Sequence, residues 1–148
     1  MLKSLNVYRC RLIKDHAIQY IAQIGCPDDA VKVALELGFV EYSEEVFGMF
    51  ALNTKGHIIG IHEVARGDIS TVVISPREVF KRALLNNSAS VIFVHNHPSG
   101  DTTPSEADVE VTQRLVAAGE IMGINVLDHI IIGNEYNDSF SMKKHNLI

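Results

Sequence analysis

Apolar residues fall along this chain in short blocks separated by turn residues, and most of the blocks are too short for anything but buried strands. Glu44–Leu52 reads as a strand, Asn53-Thr-Lys-Gly56 as a turn and His57–Val64 as the hairpin partner. Thr71–Ser75 is a short β-branched run, while Ala89–Val94 and Asn125–Ile132 are buried strands. A turn over Gly133–Asn137 leads to a last edge strand at Ser139–Met142.

Between these blocks the period changes from two to that of a helix. Cys26–Gly38 carries Pro27 and two acids, Asp28 and Asp29, where a helix N-terminus favours them, and Gly38 where a helix ends. Pro76–Asn87 opens on a proline and places Phe80 and Leu84 on one face of an amphipathic helix. A third helix starts at Ser105 and runs to about Ala118, with Val109, Thr112, Leu115 and Val116 as its apolar stripe and Gly119 or Gly123 closing it. Residues 1 to 26 are the least patterned part, and Leu12, Ile13, Ile18, Ile21 and Ile24 fit a short helix loosely. This alternation predicts a three-layer α/β domain, a mixed, twisted sheet with helices on both faces.

One block ends abnormally. Val91-Ile-Phe-Val94 is followed at once by His95-Asn-His97-Pro98. Strand side chains alternate, so His95 and His97 project to one side and Asn96 to the other, and Pro98 ends the strand because it has no N–H to donate. Ser105 is placed as an N-cap, with Asp108 three residues later in the first helical turn. Two imidazoles and a carboxylate form a mixed N/O set suited to zinc, and three protein ligands leave a fourth tetrahedral position for water. Zinc lowers the pKa of such a water to roughly 7, but a base must still move its proton.

Composition narrows the classes. At 148 residues with 47% apolar content the chain fits one domain with a substantial core. A net charge of −5 and scattered basic residues argue against a broad nucleic-acid footprint. Cys10 and Cys26 are too few for a disulfide framework. No secretory pattern opens the sequence and no apolar run approaches the ~20 residues of a membrane span, so the cytoplasm is the expected compartment and no membrane is expected as a partner.

His95-x-His97, followed by Ser105 and Asp108 at their spacings, resembles the metal signature of the JAMM (MPN-plus) zinc proteases, and His95-Asn-His-Pro-Ser-Gly-Asp101 is similar to their bacterial RadC branch. The resemblance implies a JAMM/MPN fold related to that of cytidine deaminases. It also implies a domain proper over residues 41–148, preceded by a helical extension over 1–40 that docks on it. One Zn2+ held by His95, His97 and Asp108 is implied, with water as fourth ligand. Glu45-Val-Phe-Gly48 is similar to the family's Glu-x-x-Gly segment, which makes Glu45 the general base. Glu44 is the alternative if the register slips by one, since neighbours in a strand face opposite sides, and Glu63 is a third possibility. The Ser105 hydroxyl would donate to the oxyanion, a contact worth typically ~3 kcal/mol.

The expected chemistry is metal-assisted hydrolysis of a peptide or isopeptide amide in a protein or peptide substrate. The physiological substrate and oligomeric state are open at this point. RadC proteins carry a DNA-repair label that this acidic chain does not support by charge, and residues 1 to 40 show no Gly-rich helix-hairpin-helix segment. The rival classes are a DNA-associated zinc hydrolase or nuclease and a non-catalytic module that keeps the fold. A deaminase would need His-x-Glu followed by Pro-Cys-x-x-Cys, which is absent. Pro98–Asp101 is a turn that could shape the substrate entrance. Asp128-His129 imitates a relay pair but reads as structural, and His16, His57, His62 and His145 as surface or structural residues.

Overall fold

The structure is a computed structural model, and it describes residues 11–15, 17, 23–70, 72–135 and 138–148. In chain order its elements are α1 (Pro27–Glu36), a 3-10 turn (Phe39–Glu41), β1 (Val46–Leu52), β2 (Ile58–Arg66), α2 (Pro76–Leu85), β3 (Ser90–Asn96), α3 (Glu106–Met122), β4 (Asn125–Ile132) and β5 (Ser139–Ser141). The five strands form one sheet in the order β2-β1-β3-β4-β5. Only the β3–β4 pair is parallel, with α3 as its crossover, and the other pairs are antiparallel.

Both faces of the sheet are covered. On one, Phe47, Met49, Ala51, Val91 and Phe93 pack against Val79, Phe80 and Ala83 of α2 and Val111 and Leu115 of α3. On the other, Phe50, Leu52, Ile92, Val94, Ile130 and Ile132 meet Ala30, Val31, Val33 and Ala34 of α1 together with Phe39. Every residue of β1 and β3 is buried, which is why these strands are written as apolar blocks rather than as alternation. The fold is therefore the three-layer mixed α/β arrangement that the pattern predicts. Gly48 has a packing reason of its own: a Cβ there would stand 2.6 Å from the Phe39 ring, so glycine lets that ring lie against β1.

Some expectations shift. The helix read loosely over residues 1 to 26 falls largely outside the described residues. Those described, 11–15, 17 and 23–26, are not helical, and Gln23 instead makes an antiparallel bridge to His57. Residues 72–75 form loop, not strand. Leu84 is half exposed, because the buried face of α2 runs through Val79, Phe80 and Ala83. In α3 the buried stripe is Asp108, Val111, Thr112, Leu115 and Gly119. Val109 and Val116 lie at its margin, since a polar residue, Asp108, occupies the inward position that an apolar count passes over. The helix ends at Met122, with Gly123 as its left-handed cap. No helix among the described residues is long and apolar enough to cross a membrane.

Candidate metal centre

Strand β3 delivers His95 and His97 at its C-terminal end, and the first turn of α3 delivers Asp108. The nitrogens of the two rings stand close, His95 Nε2 lying 2.9 Å from His97 Nε2. Asp108 Oδ1 is 3.4 Å from His95 Nε2 and Asp108 Oδ2 is 3.4 Å from His97 Nε2. With one ligand atom from each residue, the three lie within 4.8 Å of one another, close enough for a single ion to reach them all. His95 is fully buried and Asp108 is 2% exposed, whereas His97 forms the open side.

Proton counting tests the fit. The Asp101 carbonyl can only accept, so His97 Nδ1, 2.6 Å away, carries a hydrogen, and in the neutral ring Nε2 is the bare nitrogen. The Thr112 hydroxyl donates to the Asp108 carbonyl and accepts from His129 Nδ1–H. His129 Nε2 is then bare and accepts from His95 Nδ1–H at 2.7 Å, which leaves His95 Nε2 bare as well. With His97 neutral, two lone pairs and a carboxylate face one another, an arrangement that a metal cation between them would satisfy.

Electrostatics agree. Burial, then the neighbouring His129, hold His95 well below its ordinary pKa, and burial lowers His129 to about 4, so both rings are neutral at pH 7. Burial alone would raise Asp108, but its contacts with His97, His95 and Ser105 outweigh it and keep the carboxyl well below the usual carboxylate range. The Asp108 carboxylate raises His97 against the effect of burial, with the Asp101 carbonyl and the charge of Glu45 adding to it, so without a metal this ring is drawn toward its charged form and a metal would have to displace that proton.

Around this triangle lie the other candidates. Ser105 caps α3: its Oγ accepts from Asp108 N at 3.1 Å while Asp108 Oδ2 accepts from Ser105 N at 2.8 Å. Capping uses the acceptor side of the hydroxyl and leaves its proton for another partner. Glu45 precedes β1 directly, on the segment that runs antiparallel to the end of β3, where Phe47 pairs with His95. One of its oxygens accepts from Ile69 N at 3.0 Å, and its charge is felt at His97. Glu44 is exposed and faces Arg66 at 3.8 Å, and Glu63 gives both oxygens to Arg66 on the edge strand β2, two strands from the histidines.

Three contributors were not read as such from the sequence. Asn96 faces the opposite side of β3, where its Oδ1 accepts from Val46 N at 2.7 Å and its Nδ2 donates to the Glu44 carbonyl at 3.1 Å, clamping the segment that carries Glu45. His129 is the hydrogen-bond partner of His95, and Thr112 is the partner of His129. Their sequence trace is polar groups inside apolar runs: His129 before three isoleucines, and Thr112 one turn after Asp108. Asp128 is occupied elsewhere, accepting from His129 N, the Ser141 hydroxyl and Lys143 N, and so does not orient the His129 ring.

The family model of the RadC-like JAB domain matches residues 24–147, with this histidine loop inside it. The chain belongs to the RadC-like JAB domain family. Among curated relatives, it is 49% identical over 141 residues to a UPF0758 protein of Clostridium beijerinckii, an alignment covering 95% of this chain and 59% of the relative. It is 46% identical over 127 residues to one of Alkaliphilus oremlandii (85% and 53%) and 48% identical over 113 residues to one of Geobacillus thermodenitrificans (76% and 49%). The chain spans about half the length of these curated relatives. Their names state no activity. What this RadC-like JAB domain has in hand is a His95-His97-Asp108 group able to hold a metal ion.

Proposed function

We propose that this protein is a zinc-dependent hydrolase of peptide or isopeptide bonds, acting in the cytoplasm on a protein or peptide substrate. The observation that carries the reading is the approach of two imidazole nitrogens and a carboxylate to 2.9–3.4 Å of one another, with the Ser105 hydroxyl bonded to Asp108 and the charge of Glu45 acting on His97. Bound zinc supplies a Lewis acid for the scissile carbonyl and an acidified water.

The chain's own groups do the rest. Glu45 takes a proton from the attacking water as its oxygen adds to the carbonyl carbon, and returns that proton to the nitrogen as the C–N bond breaks. Its second oxygen, held by Ile69 N–H, fixes the direction in which the first can reach. Ser105 donates its hydroxyl proton to the oxygen that gains charge, a contribution of about 3 kcal/mol for donors of this type. His95, His97 and Asp108 hold the cation, and the Pro98–Asp101 turn, closed by Gly100 N–H to the His97 carbonyl at 2.9 Å, steadies His97 through the Asp101 carbonyl.

Carboxylates distinguish this reading from action on DNA. Glu45, Asp101 and Asp68 all interact electrostatically with the ligand cluster, and the chain carries a net charge of −5. A phosphodiester backbone would meet repulsion there, whereas an amide would not. The test is metal analysis of purified protein with His95→Ala as control, followed by a peptide and isopeptide library assay. One zinc per chain, lost in the variant, together with metal-dependent cleavage, is expected. A loaded site that cleaves no member of the library would leave a binding module in place of an enzyme.

A further inference from the structure

We propose that Thr112 and His129 are positioning residues that lock the His95 ring in the tautomer presenting a bare Nε2 to the metal, and that they couple this ring to the helix carrying Asp108. The inference rests on the reading of this cluster as a metal centre.

The chain of hydrogen bonds runs in one direction only. Thr112 Oγ has a single proton and two close neighbours, the Asp108 carbonyl and His129 Nδ1. The carbonyl has no hydrogen to give, so two oxygens would repel unless the hydroxyl proton lies between them. His129 must therefore supply the hydrogen on Nδ1 and keep Nε2 as acceptor. His95 Nδ1, 2.7 Å from that nitrogen, is left as the donor. The consequence emerges at the far side of the His95 ring, where Nε2 faces His97 and Asp108 without a proton.

Two features separate this from ordinary core hydrogen bonding. The relay is closed: it begins at one ligand, His95 on β3, passes through His129 on β4, and ends at the backbone of another ligand, Asp108 on α3. It is also sealed, since His95, His129 and Thr112 are all 0% exposed, so no water stands by to replace a missing partner. Phe47 lies across the rings at 5.2 Å from His129 and 6.2 Å from His95, and Phe93 lies 6.1 Å from His129. With a hydroxyl removed, His129 is free to take the other tautomer, which places a hydrogen on His95 Nε2, directly in the cation's path.

The experiment reads tautomers and zinc affinity. Nitrogen-15 NMR of the metal-free full chain should show His95 protonated at Nδ1 and bare at Nε2. Chelator competition should show zinc affinity falling by roughly 10–100-fold in Thr112→Val and returning in Thr112→Ser, the range seen when such outer partners are removed. A wild-type His95 carrying its hydrogen on Nε2, or a Thr112→Val protein that binds zinc as tightly as wild type, overturns the relay while leaving the metal centre standing. Wild-type protein that binds no zinc overturns the metal centre, and the relay with it. The NMR arm needs no variant, so a Thr112→Val chain that fails to fold still leaves the tautomer assignment to decide.

Discussion

The Asn96 side chain accepts the Val46 backbone N–H at 2.7 Å, across the end of two antiparallel strands. Its amide nitrogen reaches further back, to the carbonyls of Glu44 at 3.1 Å and Tyr42 at 3.4 Å. One side chain thus fastens the segment carrying the candidate base to the strand carrying two candidate ligands, from the face opposite the imidazoles. Asn96→Ala leaves a buried N–H and two carbonyls without it, and a buried unsatisfied group costs about 1–3 kcal/mol. Denaturant unfolding should register a loss of that size. Zinc stoichiometry should hold while turnover falls tenfold or more. Turnover unchanged in the folded variant would reduce Asn96 to a structural tie.

Glu45→Gln separates proton transfer from architecture. The amide oxygen can still accept from Ile69 N, so the segment keeps its anchor and the metal ligands are untouched. Removing a general base costs typically 10²–10⁴-fold. Turnover should drop by that factor with zinc content unchanged. Equal activity in Glu45→Gln would dismiss Glu45, and a loss seen only in Glu63→Gln would move the role to a residue now paired with Arg66.

The pieces of the histidine loop were legible because they are written locally: residues two apart on a strand share a face, and Ser105 with Asp108 writes a helix start whatever the rest of the chain does, while the grouping of Asp108 with His95 and His97 came from the spacing that resembles a known family. His129 could not be read in this way. It comes beside His95 because β4 pairs in parallel with β3, placing His129 against Phe93, and because β1 sets Phe47 against His95 on the other side. Parallel pairing through a helical crossover leaves no short-range trace. The placing of Glu44 and Glu45 had the same limit: it turns on where β1 begins, which the Asn96 clamp fixes from fifty residues away, and the placing of Glu63 on the edge strand turns on the strand order. The phase of α3 slipped for a different reason, since a count of apolar residues has no means of placing an inward aspartate.

Gly119 reverses a rule of thumb. Glycine inside a helix normally costs about 1 kcal/mol relative to alanine. Here a Cβ would stand 2.5 Å from the Ile124 carbonyl oxygen and 3.3 Å from both Phe80 and Val126. Backbone cannot step aside as a long side chain would, and the same turn uses Ile124 N–H to Gly119 O at 2.9 Å to close the helix. Gly119→Ala should therefore destabilise, by about 1–3 kcal/mol for overpacking of this kind, lowering the thermal midpoint. A raised midpoint would show that the α3–β4 turn yields readily.

His62 sets a pH dependence away from the metal cluster. The Asn86 amide nitrogen donates to the Arg82 carbonyl at 2.8 Å, which fixes its orientation and directs its other hydrogen to His62 Nε2. A protonated His62 would oppose donor to donor. Burial, followed by the Arg82 cation, lowers its pKa below the ordinary 6.5. Because the folded value is depressed, the neutral ring's contribution is complete above the unfolded pKa and is lost as pH falls through the folded one. Unfolding free energy measured on metal-free protein between pH 8 and 5 should decline below about 6.5, and His62→Gln, which keeps an acceptor for Asn86, should decline less over the same window. His95 and His129 titrate in both proteins, so the difference between the two curves isolates His62. Superimposable curves would mean that His62 binds its proton equally well folded and unfolded.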